Sequence, residues 1–175
     1  MPQVAVLRLG NRAYRDHRIS THCCLVARAF GASEIVYTGQ KDSGMEATVN
    51  RINNRWGSSF VVRHAKGYKE VIKKWKAKKG FVCHLSMYGL PFHKNMRKIP
   101  KNKNLLILVG GEKVPGEVYQ MADMNIAVTN QPHSEIAALA LFLDRYFSGK
   151  ELDKKFTKAK LRIVPQEKGK KILSK

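Results

Sequence analysis

Three polar stretches of the 175-residue chain carry side chains able to do chemistry. The first holds four arginines within 11 residues, Arg8, Arg12, Arg15 and Arg18, and continues to Thr21-His22. A guanidinium is planar and its N–H fork matches phosphate oxygens, so this stretch reads as a phosphate clamp. The plain alternative is a solvated loop. The second stretch is Gly110-Gly111-Glu112-Lys113-Val114-Pro115. Glycine there lets backbone approach a ligand closely, with N–H groups as donors, or simply makes a tight turn into a helix. The third is Thr129-Asn130-Gln131-Pro132-His133-Ser134-Glu135, dense in amide, imidazole and hydroxyl groups. A capped helix start is its plain reading, with Glu135 complementing the dipole, but a cap needs only one such residue.

Other chemistries have no support. There is no G-x-G-x-x-G and no G-x-x-x-x-G-K-[ST], which removes the common nucleotide-loop readings. The six histidines are scattered, without a His-x3-His pair or a His/carboxylate cluster, so no metal is expected. Cys23 and Cys24 are adjacent and Cys83 stands alone. An odd count without C-x-x-C is no disulfide framework; it suggests core thiols in a reducing, cytoplasmic compartment.

The elements that must position these stretches follow from hydrophobic pattern. Strands are expected at residues 4–9, 34–38, 59–63, 81–85, 104–109 and 125–128, with a further one at 161–164. Helices are expected at 20–30, capped by Ser20 or Thr21, and at 45–56, 68–76, 114–122 and 134–147. The unalternated run Leu105-Leu106-Ile107-Leu108-Val109 indicates burial on both faces, as in a parallel sheet. Strands alternating with helices give an α/β domain, a mainly parallel sheet with helices on both faces. All three polar stretches then follow strands, at the carboxyl ends where such sheets bind ligands. The helix at 134–147 is apolar nearly all round and belongs between layers or between subunits. Residues 1–150 are expected to form the packed domain and 151–175 a basic extension.

Lys plus Arg number 33 against 13 Asp plus Glu, a net charge of +20. Such a charge on one small domain calls for a polyanion, because each cation meeting a phosphate releases counterions. Residues 66–103 carry +11 and residues 150–175 carry +7, so two basic flanks surround a nearly neutral segment. Charge alone leaves RNA or DNA, and enzyme or binder, open. No apolar run exceeds the eight residues 136–143, far short of a membrane span. The N-terminus lacks a basic then apolar leader, so no secretory signal is expected.

At the three stretches the chain resembles the archaeal tRNA (cytidine-56) ribose 2′-O-methyltransferases of the SPOUT superfamily. The resemblance lies in Leu7-Arg8-Leu9-Gly10 with Arg12, Arg15-Asp16 and Arg18; in Thr21-His22; in Ala27-Arg28-Ala29-Phe30-Gly31-Ala32; and in His84-Leu85-Ser86-Met87-Tyr88-Gly89. It continues in Glu112-Lys113-Val114-Pro115 with Glu117-Val118-Tyr119, and in Asn130-Gln131-Pro132-His133-Ser134-Glu135 with Leu143-Asp144-Arg145. The chain departs from the family at Asn11, Gly111 and Thr129, where His, Ala and Gly are common.

The resemblance implies a deep trefoil knot in the C-terminal half and a homodimer that the helix after Ser134 helps to form. It implies S-adenosylmethionine bound in a bent shape at Leu85, at Gly110, Gly111, Glu112, Lys113 and Val114, and at Val128, Thr129, Asn130, Gln131, Pro132, His133, Ser134 and Glu135. It places Arg12, Arg15 and Arg18 at the ribose hydroxyl and its phosphate, with His22 a further candidate base. An arginine is a poor base at its usual pKa, so orientation and phosphate binding are its expected work. The basic flanks would hold the tRNA backbone. A non-catalytic RNA-binding protein of this fold, or a methyltransferase with another target nucleotide, are the alternatives.

Overall fold

A computed structural model describes residues 2–111 and 113–174; Glu112, one of the candidate residues, lies outside them. Six strands form one sheet: β1 (Val4–Asn11), β2 (Glu34–Gly39), β3 (Val61–His64), β4 (Phe81–Pro91), β5 (Leu105–Gly110) and β6 (Met124–Ala127). Their order is β3-β2-β1-β5-β4-β6, and every pairing is parallel. The helices are α1 (His17–Ala29), α2 (Ser43–Trp56), α3 (Tyr68–Ala77), α4 (Phe92–Asn95), α5 (Gly116–Met121) and α6 (Glu135–Phe147). α1, α2 and α6 cover one face, burying Cys23, Cys24, Met45, Leu139 and Phe142 against Val6, Ile107 and Cys83. α3 and α5 cover the other, where Ile72 and Val118 pack on Leu7, Leu106 and Leu108. Alternate residues of β1 and β5 thus feed two separate cores, which is why their apolar runs do not alternate.

Each sheet strand and each long helix expected from the pattern is present, with shifted ends. α1 starts at His17, before Ser20 and Thr21. Ser20 is not a cap because its hydroxyl bonds to Asn11 Oδ1 at 2.5 Å, while its N–H continues the helix by donating to Asp16 O at 2.7 Å. α2 is capped by Asp42, whose carboxylate accepts from Met45 N, and α6 by Ser134, whose hydroxyl accepts from Ile136 N.

β4 runs six residues past its expected end. A bulge lets both Leu85 and Leu90 pair with Ile126. Gly89 makes this possible: a Cβ there would lie 2.5 Å from Ile126 N. Asn130 completes the clasp, its Nδ2 donating to Met87 O at 2.7 Å and Gly89 O at 3.1 Å. Asn130 therefore ties the loop after β6 to the β4 extension.

The strand at residues 161–164 pairs outside the sheet. β7 (Leu161–Val164) forms an antiparallel hairpin with β8 (Lys171–Ser174). The segment leading into it is fastened by buried Arg28. Its Nε donates to Asn53 Oδ1 at 2.9 Å and its guanidinium lies 4.6 Å from the Phe156 ring centroid.

Candidate functional site

The connection after β1 leads to β2 on one side, whereas that after β5 passes β4 to reach β6 on the other. Loops diverging between β1 and β5 leave a crevice at the carboxyl ends, the usual ligand position in an open parallel sheet. A cleft of about 480 Å3 opens there. Of the candidates, Arg12, Arg15, Leu85, Gly110, Gly111, Val114, Pro132, His133 and Glu135 line it. Three loops far apart in sequence therefore meet in one place.

The other candidates lie outside its lining. Arg18 and His22 are exposed on α1, and Lys113 is exposed in the loop after β5. Val128 packs on the α1/α6 core. Asn130 clasps β4, Ser134 caps α6, and Gln131 O accepts from His133 Nδ1 at 2.6 Å, shaping the turn. Thr129 is exposed and is not among the non-glycine residues with positive φ, so threonine fits its backbone without strain.

Ion pairs of Arg12 and of Arg8 shape the electrostatics of the described residues. Arg12 grips Asp16 through both arms of its fork, Nε to Oδ2 at 2.9 Å and Nη2 to Oδ1 at 3.0 Å, and its backbone N–H adds a third bond at 3.1 Å. These Arg12 hydrogen bonds hold the Asp16 carboxyl below its ordinary value, so it stays ionised and fixes the guanidinium. The second pair joins β1 to α6, with Arg8 Nη2 3.6 Å from Glu135 Oε1. Arg8 is only 1% exposed; its Nη1 donates to Leu9 O at 3.3 Å.

The opposite wall is neutral. His84 is fully buried, with Nδ1 2.9 Å from Asn125 Oδ1 and its ring edge-on to Tyr119 at 4.7 Å. Burial pushes the imidazole pKa down, with the Asn125 bond opposing. Ser86 Oγ and the Tyr119 hydroxyl are 3.0 Å apart. Sequence reasoning passed over His84, Ser86, Tyr119 and Asp16 as cleft residues. A histidine inside an apolar strand looks like core; the signals were its place one residue before the expected strand end and its part in the stretch His84-Leu85-Ser86-Met87-Tyr88-Gly89.

The thiols take no part. Burial raises Cys23 and Cys24 to about 12 and raises Cys83 as well, so all three stay protonated. Among the described residues no three His, Cys, Asp or Glu gather to hold a metal, and no helix is long and apolar enough to cross a membrane.

A family model described as tRNA ribose 2′-O-methyltransferase, aTrm56, matches residues 56–173. The chain is 48% identical over 171 residues to a tRNA (cytidine(56)-2′-O)-methyltransferase of Methanopyrus kandleri, covering 98% of this chain and 96% of that one. Among solved structures it is similar to the A. aeolicus TrmH/SpoU tRNA modifying enzyme, with a TM-score of 0.62 at 14% identity, over 87% of this chain and 78% of that one. It is also similar to the SpoU methyltransferase AviRb from Streptomyces viridochromogenes, solved in complex with the cofactor AdoMet. There the TM-score is 0.60 at 14% identity, over 85% of this chain and 59% of that one. At such identities the two structures speak for the fold.

Proposed function

The chain belongs to the tRNA ribose 2′-O-methyltransferase family, and we propose that the cleft over β1, β4 and β5 is where its methyl transfer takes place. The protein is an S-adenosylmethionine-dependent enzyme that methylates the ribose 2′-oxygen of cytidine 56 in tRNA. The observation that carries the site assignment is the convergence of the three polar loops on this one cleft at the divergence of the β1 and β5 connections. Membership of an enzyme family over nearly the whole chain leaves the non-catalytic reading without ground.

The cleft suits the cofactor. Its volume of about 480 Å3 lies in the range of small-molecule sites. A Cβ on Gly111 would meet nothing within 4 Å, so backbone is open to a ligand there. Two buried polar atoms without a partner, Arg8 Nε and His84 Nε2, belong to residues on its walls. The residues that would hold the cofactor are Leu85, Gly110, Gly111, Val114, Pro132, His133 and Glu135, with the loop 128–134 shaped by Asn130, Gln131 and Ser134.

S-adenosylmethionine, when bound, supplies a methyl group on a sulfonium, open to displacement by an oxygen. The chain must hold the nucleotide in line and keep water out. Arg12, fixed by Asp16, orients the ribose hydroxyl and its phosphate, and Arg15 at the cleft mouth adds a second phosphate ligand. Asp16 is a poor proton acceptor because Arg12 keeps it ionised, so its work is to aim Arg12. Arg18 and His22, exposed on α1, face the incoming RNA rather than the cleft.

The finer architecture is part of the same reading. The β4 extension clasped by Asn130 is what supports a trefoil knot in the C-terminal half. Leu141, 52% exposed, and Ala137, also exposed one turn earlier on α6, support a homodimer built on that helix. Residues 1–150 form the catalytic domain and 151–175 a basic extension. The stretches 66–103 and 150–175 hold the tRNA backbone. Three reduced thiols and a tRNA substrate suit the cytoplasm. Isothermal titration with S-adenosylmethionine tests the cleft: saturable binding in the wild type, weakened by Glu135→Ala, is expected, and no heat at any concentration refutes it.

A further inference from the structure

Among the described residues, buried side-chain polar atoms without a partner belong to three residues only: Arg8, His84 and Glu151. Two of them stand in the one cleft. A buried polar atom left unbonded is unfavourable, so an orphan on a ligand-site wall is a place where a ligand group is expected.

The chemistry of the His84 atom is fixed by its neighbours. Asn125 Nδ2 donates to Tyr119 O at 2.9 Å, so the amide cannot be turned round, and its Oδ1 faces the imidazole. An amide oxygen only accepts. Nδ1 therefore carries the proton and Nε2 presents a lone pair. The burial that lowers the imidazole pKa keeps this neutral form at physiological pH.

The strand register tells which ligand group belongs there. His84 is level with Leu108, which is level with Leu7, both on the α3/α5 face. Arg8 is level with Val109, which packs on the α1/α6 face, where Glu135 also lies. The cleft therefore bends over the edge of the sheet; of its described residues, the carboxylates Asp16 and Glu135 lie on one side and neutral side chains on the other. Among the described residues an ammonium would find no anion beside His84. A neutral donor suits it, and Ser86 and Tyr119 place hydroxyls next to it. An acceptor beside hydroxyl donors is the complement of adenine's amino edge, which offers a donor-only 6-amino group and an acceptor ring nitrogen.

We propose that His84 is a specificity residue for the cofactor, its Nε2 accepting a hydrogen bond from the adenine 6-amino group, with the Ser86 and Tyr119 hydroxyls facing the adjacent ring nitrogen. This rests on the cleft being the S-adenosylmethionine site. Asn125 is a positioning residue that acts through His84.

The test compares binding of S-adenosylhomocysteine and S-inosylhomocysteine, in which a carbonyl replaces the 6-amino group, by isothermal titration. Wild type is expected to prefer the adenosyl compound by at least about tenfold, because a site built for an N–H rejects an acceptor in its place. His84→Leu is expected to bring the two affinities within about twofold, and His84→Gln, which keeps an acceptor oxygen, to restore part of the preference. An unchanged preference in His84→Leu overturns the proposal. Should His84→Leu not fold, 15N spectra of wild-type imidazoles decide. The unprotonated Nε2 signal of His84 moves upfield with S-adenosylhomocysteine if the bond forms, and its staying in place overturns the assignment. If wild type binds neither compound, the cleft assignment itself falls and His84 with it.

Discussion

Asp16→Asn isolates how Arg12 is aimed. The replacement keeps size and one acceptor oxygen, so the bond from the Arg12 backbone N–H survives. It removes the charge that the Nε and Nη2 bonds at 2.9 and 3.0 Å depend on. Hydrogen bonds to a charged group contribute about 1.5–3 kcal/mol. The Arg12 side chain is 41% exposed, so water competes and the pair belongs near the low end, about 1–2 kcal/mol. Lost wholly from the transition state, that is a fall of about 5–30-fold in kcat/KM. Arg12→Ala removes the contact itself and is expected to cost about a hundredfold. Because Asp16 works only through Arg12, the double variant should be no slower than Arg12→Ala alone. The assay is initial-rate incorporation of labelled methyl into a tRNA transcript at subsaturating tRNA. A double variant slowed by the product of the two single effects refutes the reasoning, as does an Asp16→Asn protein with wild-type kcat/KM.

The same pair has a pH signature. The Asp16 carboxyl sits below its ordinary value of 3.8 because of Arg12. Its stabilising effect is therefore complete above that ordinary value and is lost as pH falls through the lowered one. The stability gap between wild type and Asp16→Asn, followed by denaturant melts, should be constant at neutral pH and close only in acid below about pH 4.

Other substitutions probe the scaffold and the RNA surface. Gly89→Ala drives a Cβ to 2.5 Å from Ile126 N, which cannot move aside, so a loss of about 1–3 kcal/mol and a Tm lower by about 2–10 °C are expected. Gly111→Ala, with open space around its Cβ, should leave Tm unchanged. Arg28→Ala strips Asn53 and Phe156 of their partner and should destabilise by about 2–3 kcal/mol, with limited proteolysis cutting first within residues 151–175. tRNA affinity measured by fluorescence anisotropy should fall steeply with salt, and Lys73→Ala and Lys155→Ala should each reduce the log–log slope by about one if both flanks meet phosphates.

Much of this molecule is legible in its sequence, for identifiable reasons. β5 declares itself because five consecutive apolar residues serve two cores at once. α6 does so because it carries apolar residues on every side. The carboxyl-end rule then brings three polar loops together without further information. What stayed hidden depends on contacts between distant residues. α1 starts ahead of the cap that Ser20 or Thr21 suggests, because Ser20, a good capping type, spends its hydroxyl on Asn11. The β4 extension has no strand-like pattern in Ser86-Met87-Tyr88-Gly89-Leu90-Pro91; it is held by Ile126 and Asn130, some 40 residues on. Arg8 lies in the strand expected at residues 4–9, but its pairing with Glu135 joins residues too far apart in sequence for any local pattern to show. His84 is distinguished only by Asn125, which orients it from the neighbouring strand.

The most direct test of the central claim is mass mapping of an unmodified tRNA transcript after incubation with the protein and S-adenosylmethionine. The account predicts one added methyl on the ribose of cytidine 56, present with wild type and strongly reduced with Arg12→Ala. A methyl on another nucleotide or on a base, or full modification by Arg12→Ala, would contradict it.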